Sequence, residues 1–303
     1  MNPQKFRGTG VALVTPFNNK DVDYEALSDI IEYVIDGGVD YIVSLGTTGE
    51  AVTLSREECR QVFDFTIKKV DGRKPIVAGL FGSNYTDRLV EALKSYDLSG
   101  FDAIMSSSPA YNKPPQEGIY QHYMRVGEAS PLPIILYNVP GRTGSNVEAE
   151  TTLRLAEASD KFIAIKEASG DLQQAGQIIK HKPDNFLVIS GEDAITLPMM
   201  SFGGDGAISV IANLYPAHYA TMVRAALEDD YYTATRIHLA LLEVHPWLYV
   251  DGNPAGVKAG MAVKDICNRE VRIPLTSISK GNYQSLKQEM AKVPRLEDLL
   301  QSV

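Results

Sequence analysis

The sequence predicts an α/β protein, a (β/α)8 TIM barrel with a C-terminal helical appendix. Three observations carry this prediction. Eight short apolar runs recur along the chain, amphipathic segments with helix start and stop signals lie between them, and beyond about Tyr215 the pattern becomes helix only. The barrel is expected over residues 1–230 and the helical extension, packed on it, over 231–303.

The runs are Gly10–Phe17, Tyr41–Gly46, Pro75–Leu80, Phe101–Pro109, Pro133–Pro140, Phe162–Ser169, Phe186–Asp193 and Gly206–Asn213. They are apolar without strict alternation, as parallel strands covered on both faces should be. Asp23 is placed to cap "YEALSDIIEYVIDGG", which Gly37 and Gly38 end. Ser55 with Glu58 forms a capping box for "REECRQVFDFTIKKV". Thr86 precedes "DRLVEALKSY", and Asp171 precedes "LQQAGQIIKHK". A doubly wound open sheet is the competing architecture, but evenly spaced strand–helix units repeated eight times favour the closed barrel. "PAHYATMVRAALEDD" would close it, and "YTATRIHLALLEVHPWLYV", "AGVKAGMAVKDI" and "GNYQSLKQEMAKV" would form the appendix.

Composition bounds the partners. The chain has 303 residues, 44% hydrophobic and 22% charged, with a net charge of −9. That charge disfavours phosphate backbones, so no nucleic-acid partner is expected. The two cysteines, Cys59 and Cys267, form no C-x-x-C spacing, which fits a reducing compartment better than a disulfide framework or zinc ribbon. No signal-peptide pattern opens the chain and no apolar stretch approaches a membrane span. A soluble, cytoplasmic protein with no membrane partner is expected.

In such a barrel, chemistry sits where the strands end. Lys166 stands out there, following Phe162, Ile163, Ala164 and Ile165. An ammonium inside a barrel is costly unless paired or neutral. One reading is a strand-end lysine reaching water or pairing with Glu167. The other is a desolvated nucleophile for a carbonyl, with Arg142 as the positive neighbour that favours the neutral amine. "GTTGE" (Gly46–Glu50) offers backbone N–H groups for an anion and two threonine hydroxyls; it also reads as a plain turn. "GGDGAIS" (Gly203–Ser209) reads as a phosphate loop or, better, as the turn that lets a strand pass close to a ligand. Tyr137 and Tyr111 are either rim packing or a proton relay beside Lys166 and the threonines. All five histidines fall in helical stretches, and no metal-ligand cluster marks the strand ends, so no metal is expected.

"GTTGE", "YNVPGRTG", "IKEASGD" and "SGEDA", in this order at strand ends, resemble the dihydrodipicolinate synthase/N-acetylneuraminate lyase family across nearly the whole chain. The resemblance implies a pyruvate-dependent class I aldolase on a (β/α)8 barrel. It implies that Lys166 forms a Schiff base with pyruvate and that no cofactor besides this covalent pyruvate is needed. It implies that Tyr137 is the acid/base. Thr48 would link Tyr137 to Tyr111, which would reach in from a neighbouring subunit of a homotetramer, a dimer of dimers. The N–H groups of Thr47 and Thr48 would hold the pyruvate carboxylate, and Gly191 and Ile208 would contribute backbone carbonyls. Arg142 in "YNVPGRTG", together with "GTTGE" in place of "GSTGE", points to the synthase branch. Members of that branch condense pyruvate with aspartate semialdehyde on the way to diaminopimelate and lysine. A guanidinium is also the physical choice for a substrate carboxylate. An aldolase for a 2-keto-3-deoxy sugar acid, sialic acid or 4-hydroxy-2-oxoglutarate is the alternative.

The chain departs from lysine-inhibited members of the family at Ala51, Arg56, Cys59, Asn84, Arg88 and Ala110. Arg88 stands where the resemblance implies a glutamate for the ammonium of lysine, so feedback inhibition is expected to be weak or absent. "NPAGVK" replaces the family's "NPxPVK", a change expected to touch packing and not chemistry.

Overall fold

Eight parallel strands close on themselves in sequence order in the computed structural model, which describes residues 2 to 301. They are β1 (Gly8–Ala12), β2 (Tyr41–Ser44), β3 (Ile76–Gly82), β4 (Ala103–Ser107), β5 (Ile134–Asn138), β6 (Phe162–Glu167), β7 (Leu187–Ser190) and β8 (Gly206–Ser209). β1 pairs with both β2 and β8, which completes the (β/α)8 barrel. The first strand differs most from expectation. It starts at Gly8 and ends at Ala12, and Phe17–Asn18 instead pairs with Asp21–Val22 in a small antiparallel hairpin. Pro16, which has no N–H to give a ladder, lies in the break between them.

The helices begin where their caps predict, with one exception. Asp23 accepts from Ala26 N at 3.0 Å to start α1 (Tyr24–Asp36). Ser55 and Glu58 form the capping box of α2 (Arg56–Val70), Glu58 N donating to Ser55 Oγ at 3.1 Å and Ser55 N to Glu58 Oε2 at 2.7 Å. Thr86 does not cap α3 (Thr86–Ser95) but is its first residue, and its hydroxyl instead meets His122 Nδ1 at 2.9 Å. Next come α4 (Gln116–Ala129), α5 (Ala149–Ala158), α6 (Leu172–His181, capped by Asp171), the short α7 (Thr196–Met200) and α8 (Pro216–Leu227). α8 packs on β1 and β8 and so covers the seam.

The core has two compartments. An outer one lies between strands and helices, and an inner one fills the barrel with Val43, Val77, Met105, Ile135, Ile189 and Ile208 among others. Phe6 plugs the interior edge-on to Tyr41, with ring centroids 5.4 Å apart. Gly10 leaves room for that tyrosine, because a Cβ there would sit 2.3 Å from its ring.

Parity along β5 and β6 decides which side chains enter the barrel. In β5, Ile134 and Leu136 face the outer core, and Ile135 and Tyr137 the inner one. In β6, Phe162 faces out, but Ile163 and Ala164 both face in and Ile165 faces out again. The cause is a bulge: Ile134 pairs with Phe162 but Ile135 pairs with Ala164, so Ile163 is the extra residue. A bulge of one residue reverses the parity of everything after it. Lys166 is therefore directed inward, in register with Tyr137.

The appendix comprises α9 (Tyr231–Leu241), a 3-10 turn (His245–Leu248), α10 (Ala255–Val263), α11 (Lys280–Met290) and a short α12 (Leu296–Leu300) that the sequence reading did not foresee. Among the described residues, no helix is long and apolar enough to cross a membrane. Lys258 of α10 fastens the appendix to the loop after β2. Its Nζ meets Glu50 Oε1 at 2.5 Å, with both side chains at most 1% exposed. The same ammonium donates to the Glu270 carbonyl at 2.9 Å, and Glu50 Oε2 accepts from Arg272 N at 3.1 Å. Burial draws the Lys258 amine down from its ordinary pKa, and Glu50 opposes that pull.

Removing one partner of a buried ion pair strands the other charge, at a cost of about 3–5 kcal/mol. Lys258→Ala is expected to destabilise the fold by roughly that amount. Lys258→Met combined with Glu50→Gln should recover much of the loss, and denaturant unfolding of the two variants measures the difference.

Candidate active site

A cavity of about 80 Å³ opens where the strands end, and its wall includes Thr47, Thr48, Tyr137, Arg142, Lys166 and Gly191. Local sequence places each of them. Gly49 N and Glu50 N fold back on the carbonyls of Gly46 and Thr47, at 3.1 Å each, to make a tight turn of "GTTGE". Among the described residues the N–H groups of Thr47 and Thr48 donate to nothing, so the turn presents two free donors. Thr15 Oγ1 steadies it by donating to Gly49 O at 2.7 Å.

Tyr137 is the last residue but one of β5 (Ile134–Asn138), just inside the barrel mouth. Beyond it, Pro140–Thr143 forms a single helical turn, closed by Gly144 at φ 73°, whose N–H donates to Pro140 O at 2.8 Å. That turn carries Arg142 to the rim, exposed but bordering the cavity.

Lys166 is 5% exposed, and its Nζ lies 4.4 Å from the centroid of the Tyr137 ring. Glu167 is not its partner. That carboxylate points to the other side of β6 and accepts from Asn138 Nδ2 (3.0 Å), Gln174 Nε2 (2.9 Å) and Ser169 N (2.6 Å). Among the described residues no carboxylate lies within ion-pair distance of Lys166. Gly191 makes room for the lysine stem, since a Cβ there would come within 3.0 Å of Lys166 Cγ and Cε.

Two expected residues lie outside the cavity wall. Ile208 packs within the barrel interior, 1% exposed. Tyr111 is 89% exposed, at φ 74°, held by its N–H to Thr143 O at 2.9 Å. Three polar residues that border the cavity were not singled out from the sequence: Glu192, Tyr249 and Asn253. Asn253 belongs to "NPAGVK", the motif read as packing alone. Its Nδ2 in fact donates to Thr48 Oγ1 at 3.0 Å, so that motif touches the site directly. Glu192 was visible within "SGEDA" without a hint of which acid faces the cavity. Its neighbour Asp193 is structural, its Oδ2 accepting from Val210 N and Ile211 N at 2.9 and 2.8 Å. None of the histidines borders the cavity, and among the described residues no cluster of His, Cys, Asp and Glu could hold a metal ion.

The model of the dihydrodipicolinate synthetase family matches residues 5–293. The chain belongs to that family. Dihydrodipicolinate synthetase family enzymes are lyases. The chain is 48% identical over 288 residues to the 4-hydroxy-tetrahydrodipicolinate synthase of Parabacteroides distasonis, a match covering 95% of this chain and 97% of that protein. Among solved structures it resembles a monomeric dihydrodipicolinate synthase variant (TM-score 0.93, 34% identity, 96% of this chain and 98% of that one). It also resembles the Cyanidioschyzon merolae enzyme with lysine bound (TM-score 0.90, 36% identity, 95% of this chain and 98% of that one).

A second, larger cleft of about 770 Å³ opens beside α2 and α3, and the family positions that depart from the lysine-inhibited pattern all border it. Its charged groups are Arg56, Arg88 and Glu91. Arg56 donates to Ser95 Oγ and lies 5.4 Å from the Tyr96 ring centroid. With guanidinium groups in the majority, an added ammonium meets net like charge. Sub-millimolar lysine is therefore expected to leave steady-state turnover unchanged; half-inhibition in that range would contradict this reading of the cleft.

Proposed function

We propose that the chain is a 4-hydroxy-tetrahydrodipicolinate synthase that joins pyruvate to aspartate semialdehyde through a Schiff base on Lys166. The observation that carries the assignment of roles is the placement of Lys166: buried, without a carboxylate partner, and in register with Tyr137. The free N–H groups of Thr47 and Thr48 suit the pyruvate carboxylate, which would present C2 to the amine.

The lysine nitrogen then attacks C2, and the carbonyl oxygen, protonated through Tyr137, leaves as water to form the imine. Loss of a C3 proton gives an enamine, and its carbon attacks the aldehyde of the second substrate, whose oxygen takes up a proton. The substrate's amino nitrogen next attacks C2, closes the ring and releases Lys166 as a free amine. Tyr137 and the Thr48 hydroxyl are the proton carriers for these steps. Asn253 anchors Thr48 for that work. Arg142, at the rim, is the group for the second substrate's carboxylate.

The exposure of Tyr111 on the single chain suits a residue that completes the relay in another copy, within a dimer of dimers. The chemistry requires no metal and no cofactor other than the covalent pyruvate.

Incubation with pyruvate and borohydride is expected to leave a reduced adduct on the peptide containing Lys166, read by mass spectrometry; an unmodified lysine would overturn the mechanism. Arg142→Ala is expected to lower kcat/KM for aspartate semialdehyde by about 10- to 150-fold, the range for losing a hydrogen bond to a charged group. Adduct formation with pyruvate should persist. Unchanged condensation kinetics would remove the reason for placing the carboxylate at Arg142.

A further inference from the structure

Carboxylates at the strand ends of this barrel are satisfied, with one exception. Glu50 holds Lys258 and the Arg272 N–H, Glu167 accepts three hydrogen bonds, and Asp193 accepts two. Glu192 differs. Among the described residues it is the one carboxylate bordering the active-site cavity, and no lysine, arginine or histidine among them lies within ion-pair distance of it.

Its backbone is held firmly. Glu192 N donates to Ser190 Oγ at 3.3 Å, while its carbonyl accepts from Ser190 Oγ at 3.0 Å and Thr196 Oγ1 at 3.1 Å. A side chain on so fixed a base is not merely astray at the surface. Burial and the adjacent Asp193 raise its carboxyl pKa, with the Ala194 N–H and Lys166 opposing.

A carboxylate on the cavity wall, with one backbone N–H beside it and no cationic partner, calls for a ligand that brings positive charge.

Resting on the synthase reading above, we propose that Glu192 is the subsite for the α-ammonium of the second substrate. Arg142 takes the carboxylate and Glu192 the ammonium, so the cavity selects an α-amino acid aldehyde and not merely an aldehyde acid. The two charges of the substrate are then read by two opposite charges of the pocket. A pocket that leaves its polar groups unpaired with the wrong ligand discriminates more strongly than one that only changes fit.

The test compares wild type with Glu192→Gln, an isosteric change that removes the charge. The two aldehydes are aspartate semialdehyde and its des-amino analogue 4-oxobutanoate, the latter read as an inhibitor competing with the former. The pyruvate adduct is trapped by borohydride in parallel. The expected result is that KM for aspartate semialdehyde rises about 10- to 150-fold in the variant. The inhibition constant of 4-oxobutanoate should stay within about 2-fold, because that ligand has no ammonium to lose. The adduct on Lys166 should still form, which also shows that the variant is folded.

If both aldehydes weaken equally, or neither does, Glu192 does not read the amino group and the proposal is overturned while the synthase reading stands. If wild type itself forms no adduct, the synthase reading fails and this subsite falls with it.

Discussion

Everything at the mouth of this barrel depends on the direction of one side chain. Lys166 points inward because Ile163 is an extra residue opposite β5, and the bulge reverses the parity of the four residues that follow. Without it, strict alternation from Phe162 would send Lys166 into the outer core and Glu167 into the cavity. With it, the amine faces Tyr137, while Glu167 joins Asn138 and Gln174 in a closed hydrogen-bond network behind the strand. A single irregularity thus separates the Lys166 amine from the nearest carboxylate in sequence. Gly191 on β7's side then gives the lysine stem its space.

The appendix is part of the site and not an ornament on it. Asn253 reaches Thr48, and the buried Lys258–Glu50 pair grips the far end of the same loop. Such a pair contributes little net stability over a well-packed apolar replacement, so its value lies in fixing geometry. Here it fixes the turn whose free N–H groups face the cavity, from a segment about two hundred residues away in the chain. Arg272 adds a further tie through its bonds to Glu58 and to the Lys20 carbonyl. Strands of the barrel place Tyr137 and Lys166, and segments outside it hold the loop that carries Thr48.

Much of the fold was legible. Parallel strands buried on both faces announce themselves as apolar runs, and three of the four expected caps are occupied by the residues named for them. Thr86 was misplaced because a hydroxyl before a helical pattern reads as a cap, whereas this one is spent on His122. Lys166, Tyr137, Thr47, Thr48, Arg142 and Gly191 were named from the sequence because each lies at a strand end or in the loop just beyond it, and in the structure they share one cavity. Asn253, Tyr249 and Glu192 were not, since nothing local distinguishes a helix-flanking asparagine that packs from one that reaches a loop.

The sequence by itself determined the repeat of strands, the order of the motifs and the chemical types available at the barrel mouth, because these follow from hydrophobic period, capping and turn residues. Only the tertiary structure decided which of those side chains face each other. Facing is set by parity, register and closure, which are properties of paired strands. The bulge at Ile163 appears only when β6 is laid against β5. The lack of a cationic partner for Glu192 among the described residues likewise appears only once the surrounding bonds have been assigned.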